Sequence, residues 1–119
     1  MNIEEFREYC LSKKSATECF PFDNVTLVFK VLDKMFALTV IDEGFQFNVK
    51  CDPEKAIELR EKYPSVIPGY HMNKKQWNTI IVDGSVSDNL LKQWIDDSYE
   101  LIVAKMNHKK KNIIRMINE

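Results

Sequence analysis

The sequence is poor in the residues that build most catalytic, metal-binding and phosphate-binding motifs. It has only three glycines in 119 residues, and none of them belongs to a P-loop or a GxGxxG loop. Its two histidines, His71 and His108, are far apart and have no Cys or second His at ligand spacing, which disfavours a zinc site. No GxSxG nucleophile elbow occurs. We therefore expect a protein that is not an enzyme and that holds no metal and no cofactor.

The cysteines are also few, and they lack the spacing of a disulfide framework. Cys10, Cys19 and Cys51 are an odd number with no CxxC pair, so reduced thiols are the simplest interpretation. The acidic N-terminal residues lack an apolar signal region, and no apolar run reaches the roughly 20 residues that span a bilayer. These features predict a cytoplasmic protein without a membrane role.

Excess charge of either sign is absent as well. The formal net charge is -1, so any attraction to nucleic acid must come from a local patch. Hydrophobic residues make up 45% of the chain and charged residues 29%, as in ordinary globular proteins. A chain of this length predicts one domain over residues 1–119, with a core of about 1–106 and a basic extension over 107–119.

The first half of the chain predicts a helix followed by an antiparallel meander. Asn2 and Glu5 form the pattern of a capping box before a short helix. Three strands are then predicted at 25–31, 35–41 and 45–51, because these segments either alternate between apolar and polar residues or are apolar throughout. Tight turns at Asp33-Lys34 and at 42–44 join them. The last strand has one clean polar face, which indicates a sheet covered on one side only.

The second half predicts helix, two strands and helix. Asp52 and Pro53 indicate a helix start, with Asp52 as the capping residue, and Pro64 ends that helix. Strands are expected at 70–72 and 76–82, a long helix at 88–106 after a serine cap, and a short terminal helix at 112–117. The order α-β-β-β-α-β-β-α predicts an α+β two-layer sandwich, an antiparallel sheet with helices on one face.

The most chemically suggestive stretch is residues 68–79. It combines positive charge, amide groups and aromatic rings, the residue types that neutralise phosphates, hydrogen-bond base edges and stack on bases. The candidate nucleic-acid-binding residues in it are His71, Asn73, Lys74, Lys75, Trp77 and Asn78. Lys30 on the open sheet face and Lys105 on the last long helix are added as further cations. The structural alternative is a solvated hairpin with Trp77 half-buried in the sheet, and a Lys105 stem that lies over the core edge.

Metal binding and cysteine chemistry are two further possibilities. The carboxylates of Glu4, Glu5 and Glu8 share the outer face of the first helix and could collect a hard cation, although a solvated face is favoured. Cys10 and Cys51 fall on predicted packing faces, where cysteine behaves as a small hydrophobe rather than as a nucleophile.

Several segments resemble one known family. They are 20–23 (FPFD), 34–37 (KMFA), 50–54 (KCDPE) with Leu59-Arg60, 68–79 (PGYHMNKKQWNT), 83–85 (DGS), 90–91 (LL) and 98–105 (SYELIVAK). Together they resemble the MmcQ/YjbR family from the first helix to about residue 106. The resemblance implies a CyaY-like (frataxin-like) fold and DNA binding through a double-wing motif formed by the hairpins.

The residues and the resemblance together leave two main functional expectations. The first is a small DNA-binding protein that contacts the backbone through the basic and aromatic hairpin. The second is a protein-interaction or small-ligand module that uses the open sheet face and has no nucleic-acid role. The chain departs from the family pattern at Gln76 and Asp97, where many relatives have histidine, and at Asp33-Lys34, which replaces a glycine-rich turn. A frataxin-like metal role through the first helix is the third alternative.

Overall fold

The computed structural model describes residues 1–42, 44–69 and 72–117, with the backbone alone at Ile117. The described helices are α1 (Ile3–Leu11), α2 (Pro53–Lys62), α3 (Asp88–Ala104) and α4 (His108–Ile117). The described strands are β1 (Ala16–Cys19), β2 (Thr26–Val31), β3 (Lys34–Val40), β4 (Gln46–Lys50), β5 (Val66–Pro68) and β6 (Trp77–Ile81).

Local sequence accounts for where the helices begin. The Asn2 side chain accepts a hydrogen bond from the Glu5 amide at 2.8 Å, and the Glu5 carboxylate accepts one from the Asn2 amide at 3.1 Å. This is the predicted capping box. The Ser87 side chain caps α3 by accepting from the Leu90 amide. Asp52 precedes Pro53 as expected but makes no side-chain capping bond, so the proline and the dipole contribution of Glu54 define the start of α2.

The strands form one antiparallel sheet in the order β1-β2-β3-β4-β6-β5. The predicted meander β2-β3-β4 is confirmed, with β3 in the interior of the sheet. The sequence pattern predicted neither β1 nor β5. Of the strand predicted at 70–72, Met72 lies in a bend, and residues 70 and 71 fall outside the described part of the chain.

The helices pack on one face of this sheet, which confirms the two-layer α+β prediction. One core cluster contains Phe6 of α1, Leu59 of α2, Ile95 of α3 and Ile114 of α4 together with strand residues such as Phe47. Ile114 is only 6% exposed. The segment expected to be a basic extension beyond the core therefore contributes a helix to it, longer than the predicted 112–117.

A register shift in β3 brings an extra residue to the helical side. Phe29 pairs with Ala37, whereas Lys30 pairs with Met35, so Phe36 is left between the two pairs. Phe36 and Ala37 are both buried members of the core. A bulge of this kind turns consecutive side chains toward the same face. Here it also directs the Phe36 carbonyl at α3, where the Ser98 hydroxyl donates to it at 2.6 Å.

Candidate nucleic-acid interface

The lysine pair predicted for DNA contact lies on a compact turn before β6. The Asn73 carbonyl accepts hydrogen bonds from the Gln76 and Trp77 amides at 3.0 and 2.9 Å, and the Asn73 side chain accepts one from the Lys75 amide at 3.1 Å. Asn73 therefore shapes the turn through its local bonds. The turn presents Lys74 and Lys75, whose side chains are both exposed.

Trp77 and Asn78 do not belong to this exposed surface. Trp77 is 6% exposed and Asn78 is 1% exposed, so neither side chain can reach a base or a phosphate without rearrangement of the sheet. Asn78 accepts a hydrogen bond from the Arg60 guanidinium at 2.6 Å and donates one to the Ala56 carbonyl at 3.3 Å. The positions of these two residues therefore give no support to their expected role in nucleic-acid contact, because both side chains are buried.

Arg60 is the residue that sequence reasoning missed at this site. It extends from α2 and donates to the Asn78 side chain and to the Lys74 carbonyl. It thereby ties the lysine turn to both α2 and β6. The available indication was the Leu59-Arg60 pair among the segments that resemble the family.

Glycine at position 69 is explained by the same strand. The Gly69 amide donates to the Trp77 carbonyl at 2.8 Å. A Cβ added at Gly69 would lie 3.0 Å from the Trp77 Cβ and from its carbonyl oxygen. The Pro68-Gly69 pair thus ends β5 and allows the chain to pass close against β6.

The remaining predicted cations occupy two places. Lys30 lies on β2, half-buried, on the face opposite the core. Lys105 follows α3 as its C-terminal capping residue and lines a cavity together with Lys34, Lys50 and Lys110. The structure therefore brings Lys105 together with three lysines that were not in the predicted set, and places Lys30 elsewhere. His71 lies outside the described residues.

The strand register gathers these cations at one end of the sheet. Val31 pairs with Lys34 at the β2-β3 turn, and Lys50 at the end of β4 pairs with Trp77 at the start of β6. The 73–76 turn, the β2-β3 turn and the last residue of β4 therefore lie at the same end of the sheet. The first turns of α4 join them, because Lys110 forms an ion pair with Asp33 at 3.0 Å. Asp52 and Asp97 lie close enough to Cys51, just after β4, to raise its pKa.

Acidic residues mark the opposite end of the sheet. Thr26 pairs with Val40 there, and the adjoining loops contain Asp23, Asp42 and Asp83. The Asp23 carboxylate accepts hydrogen bonds from the amides of Val25 and Thr26, which lower its pKa. A chain with almost no net charge is thus polarised along its strands.

The face of the sheet opposite the helices carries a groove. A row of strand partners on that face includes Leu38, Asn48 and Thr79, with the Thr79 hydroxyl donating to the Asn48 side chain at 2.6 Å. These three residues help to line a concavity of about 510 Å³, bordered by Phe22 and Met72. Phe22 is 66% exposed.

Cys10 and Cys51 show no sign of activation. Burial raises the pKa of Cys10, which lies in the core. Burial, with Asp52 and Asp97 nearby, raises the pKa of Cys51 to about 11. A reactive cysteine needs a lowered pKa, so both thiols stay protonated at neutral pH.

The described residues, 1–42, 44–69 and 72–117, contain neither a cluster of metal ligands nor a membrane-spanning helix. No three His, Cys, Asp or Glu side chains in those ranges converge to hold a metal ion. The Glu5 carboxylate already serves the capping box. None of the helices described there is long and apolar enough to cross a membrane.

A family model for YjbR matches residues 11–101. The chain belongs to the YjbR family. It is 41% identical to the uncharacterized protein YbdF of Escherichia coli O157:H7 over 77% of this chain and 79% of that protein. It is 30% identical to the uncharacterized protein YjbR of Escherichia coli K12 over 96% and 98% of the two chains.

A solved crystal structure has the same fold as this chain. The crystal structure of Deinococcus radiodurans protein DR2400, described as having domain DUF419, superposes with a TM-score of 0.89 at 39% sequence identity. The match covers 96% of this chain and 88% of that one. These similarities establish family and fold, and the names of these proteins state no activity.

Proposed function

We propose that this YjbR-family chain is a non-enzymatic DNA-binding protein that contacts the phosphate backbone through the basic end of its sheet. The observation that supports the proposal is the convergence at that end of the 73–76 turn, the β2-β3 turn and the start of α4. Lys74 and Lys75 are the main proposed contacts on this surface, because both are exposed on a turn that Arg60 holds through the Lys74 carbonyl. A fixed turn presents charge at a smaller entropic cost than a mobile tail does.

The proposed binding is insensitive to base sequence. Backbone contacts position a protein without reading bases, and base readout needs side chains that reach base edges or stack on them. Trp77 and Asn78, the residues suited to such readout, are buried. We therefore expect similar affinity for unrelated duplexes of equal length.

A salt titration of DNA binding tests the proposal. The affinity should fall as salt rises, by about 0.9 log units per log unit of salt for each phosphate neutralised. The double substitution Lys74→Gln/Lys75→Gln should weaken binding and reduce the slope by up to about 2. The matched control is Lys62→Gln/Lys92→Gln, which removes two exposed lysines near the opposite end of the molecule. Equal losses in the two doubles, or no binding at low salt, would refute the proposal.

A second candidate function is supported by the groove on the open sheet face. Its volume of about 510 Å³ lies in the range typical of small-molecule sites. Under this alternative the ligand is a small molecule or a protein segment that contacts Phe22, and DNA is not bound. Phe22→Ser would then abolish ligand binding without changing the fold, because Phe22 is largely exposed.

The proposed compartment is the cytoplasm. All three cysteines are free, and a reducing environment keeps such thiols unpaired.

A further inference from the structure

The cavity beside Lys105 is lined by an unusual set of charged side chains. Four lysines, Lys34, Lys50, Lys105 and Lys110, share a cavity of about 400 Å³ with Ile102 and Met106. No carboxylate is among the lining residues that the structure describes. The lysines come from the start of β3, the end of β4, the C-terminal end of α3 and the first turns of α4.

These cations repel one another in the free protein. Lys110 is paired with Asp33, but no ion pair of Lys34, Lys50 or Lys105 is found within residues 1–42, 44–69 and 72–117. Burial lowers the pKa of Lys50, and the charges of Lys105 and Lys34 lower it further. Like charges held close together repel each other and so destabilise the fold. A gathering of this kind is relieved by a bound anion.

The walls of the cavity are fixed by contacts to the core. The Lys50 amide donates to the Ser98 hydroxyl at 2.8 Å, which joins the end of β4 to α3. Ile114 anchors α4 in the core, and the Lys110–Asp33 ion pair joins α4 to the β2-β3 turn. The backbone positions from which these lysines extend are fixed in this way, so a bound anion has to order only their side chains.

We propose that the cavity formed by Lys34, Lys50, Lys105 and Lys110 is a binding site for a compact phosphate group that carries two or more negative charges. A pyrophosphate or a terminal phosphate monoester matches three or four convergent ammonium groups, whereas a backbone phosphodiester carries a single charge. The apolar side chains of Ile102 and Met106 could contact an organic group attached to the phosphate. Such a group could come from a phosphorylated small molecule or from the phosphorylated end of a nucleic-acid strand.

Titration with inorganic pyrophosphate at low ionic strength tests this site. Amide NMR shifts should saturate at the β2-β3 turn, the end of β4 and the start of α4. Lys34→Gln/Lys50→Gln should weaken pyrophosphate binding by about tenfold or more. The loss of one charge-assisted contact is expected to cost at least about 1.4 kcal/mol, which corresponds to a tenfold loss of affinity. Lys62→Gln/Lys92→Gln should leave it unchanged. No saturation, or equal weakening by both doubles, would overturn the proposal.

Further arms separate this site from DNA backbone binding and identify the source of the phosphate. The proposal does not rest on the proposed function, because Lys74→Gln/Lys75→Gln should retain pyrophosphate affinity. If Lys74→Gln/Lys75→Gln lost as much pyrophosphate affinity as Lys34→Gln/Lys50→Gln, the cavity would not be a separate site. Once pyrophosphate binding is established, a preference for a 5′-phosphorylated over a 5′-hydroxyl oligonucleotide assigns the group to strand ends. Equal binding of the two oligonucleotides assigns it to small molecules.

Discussion

Replacing Ser98 by alanine should destabilise the protein far more than the loss of one small polar atom suggests. Ser98 is fully buried in the middle of α3. Its hydroxyl donates to the Phe36 carbonyl at 2.6 Å and accepts from the Lys50 amide at 2.8 Å. It therefore joins α3 to the bulge in β3 and to the end of β4 at once.

The expected cost follows from these two bonds. Each hydrogen bond contributes about 1 kcal/mol net, and a buried donor or acceptor left without a partner costs about 1–3 kcal/mol. Alanine removes both bonds and leaves the Phe36 carbonyl and the Lys50 amide without this partner. The methyl side chain of alanine cannot replace either bond. We expect a loss of about 2–4 kcal/mol, a large fraction of the roughly 5–15 kcal/mol that stabilises a domain.

Urea denaturation of Ser98→Ala measures this loss, with an unchanged m value showing that the unfolding transition is comparable. Ser85→Ala is the matched control, since Ser85 is exposed and its hydroxyl bonds to Asp83 in a surface turn. The control should change the free energy of unfolding by no more than about 0.5 kcal/mol. If the two variants lose the same free energy, the assigned role of Ser98 is wrong.

Two further predictions concern the ends of the sheet. Gly69→Ala should lower the free energy of unfolding by about 1–3 kcal/mol in the same assay, because the added Cβ meets the Trp77 backbone at 3.0 Å. An unchanged free energy of unfolding would contradict this and show that β5 and β6 separate easily. Asp23 should contribute stability above its unfolded pKa and lose it as pH falls through the lowered folded pKa, since the Val25 and Thr26 amides favour the charged form. Asp23→Ala should therefore flatten the acid branch of the stability profile, and a curve parallel to that of the unaltered protein would contradict this.

The sequence predicted most of the elements whose cause is local. The capping box at Asn2 and the alternating pattern of β4 each depend on neighbouring residues, and both are as expected. β1 was missed because its four residues have no strong pattern and are held by pairing with β2. β5 was not predicted because proline followed by glycine, as at 68–69, is a common signal for a break, whereas an edge strand tolerates a proline.

The candidate site was harder to predict because its geometry is non-local. Trp77 and Asn78 have the side chains of a binding surface, and only the packing of α2 and Arg60 against β6 shows that they are buried. The lysine cavity likewise joins residues 34, 50, 105 and 110, which are distant along the chain and meet through strand register and helix packing. No periodicity in a single segment contains that information.

The central proposal, that the basic end of the sheet binds the DNA backbone, is tested most directly by fluorescence anisotropy of a labelled duplex titrated at several salt concentrations. We predict binding at low salt, a linear fall of log affinity with log salt, and a slope reduced by up to about 2 in Lys74→Gln/Lys75→Gln. The Lys62→Gln/Lys92→Gln control should follow the unaltered protein. No measurable binding at the lowest salt, or a slope that the lysine turn does not influence, would contradict the proposal.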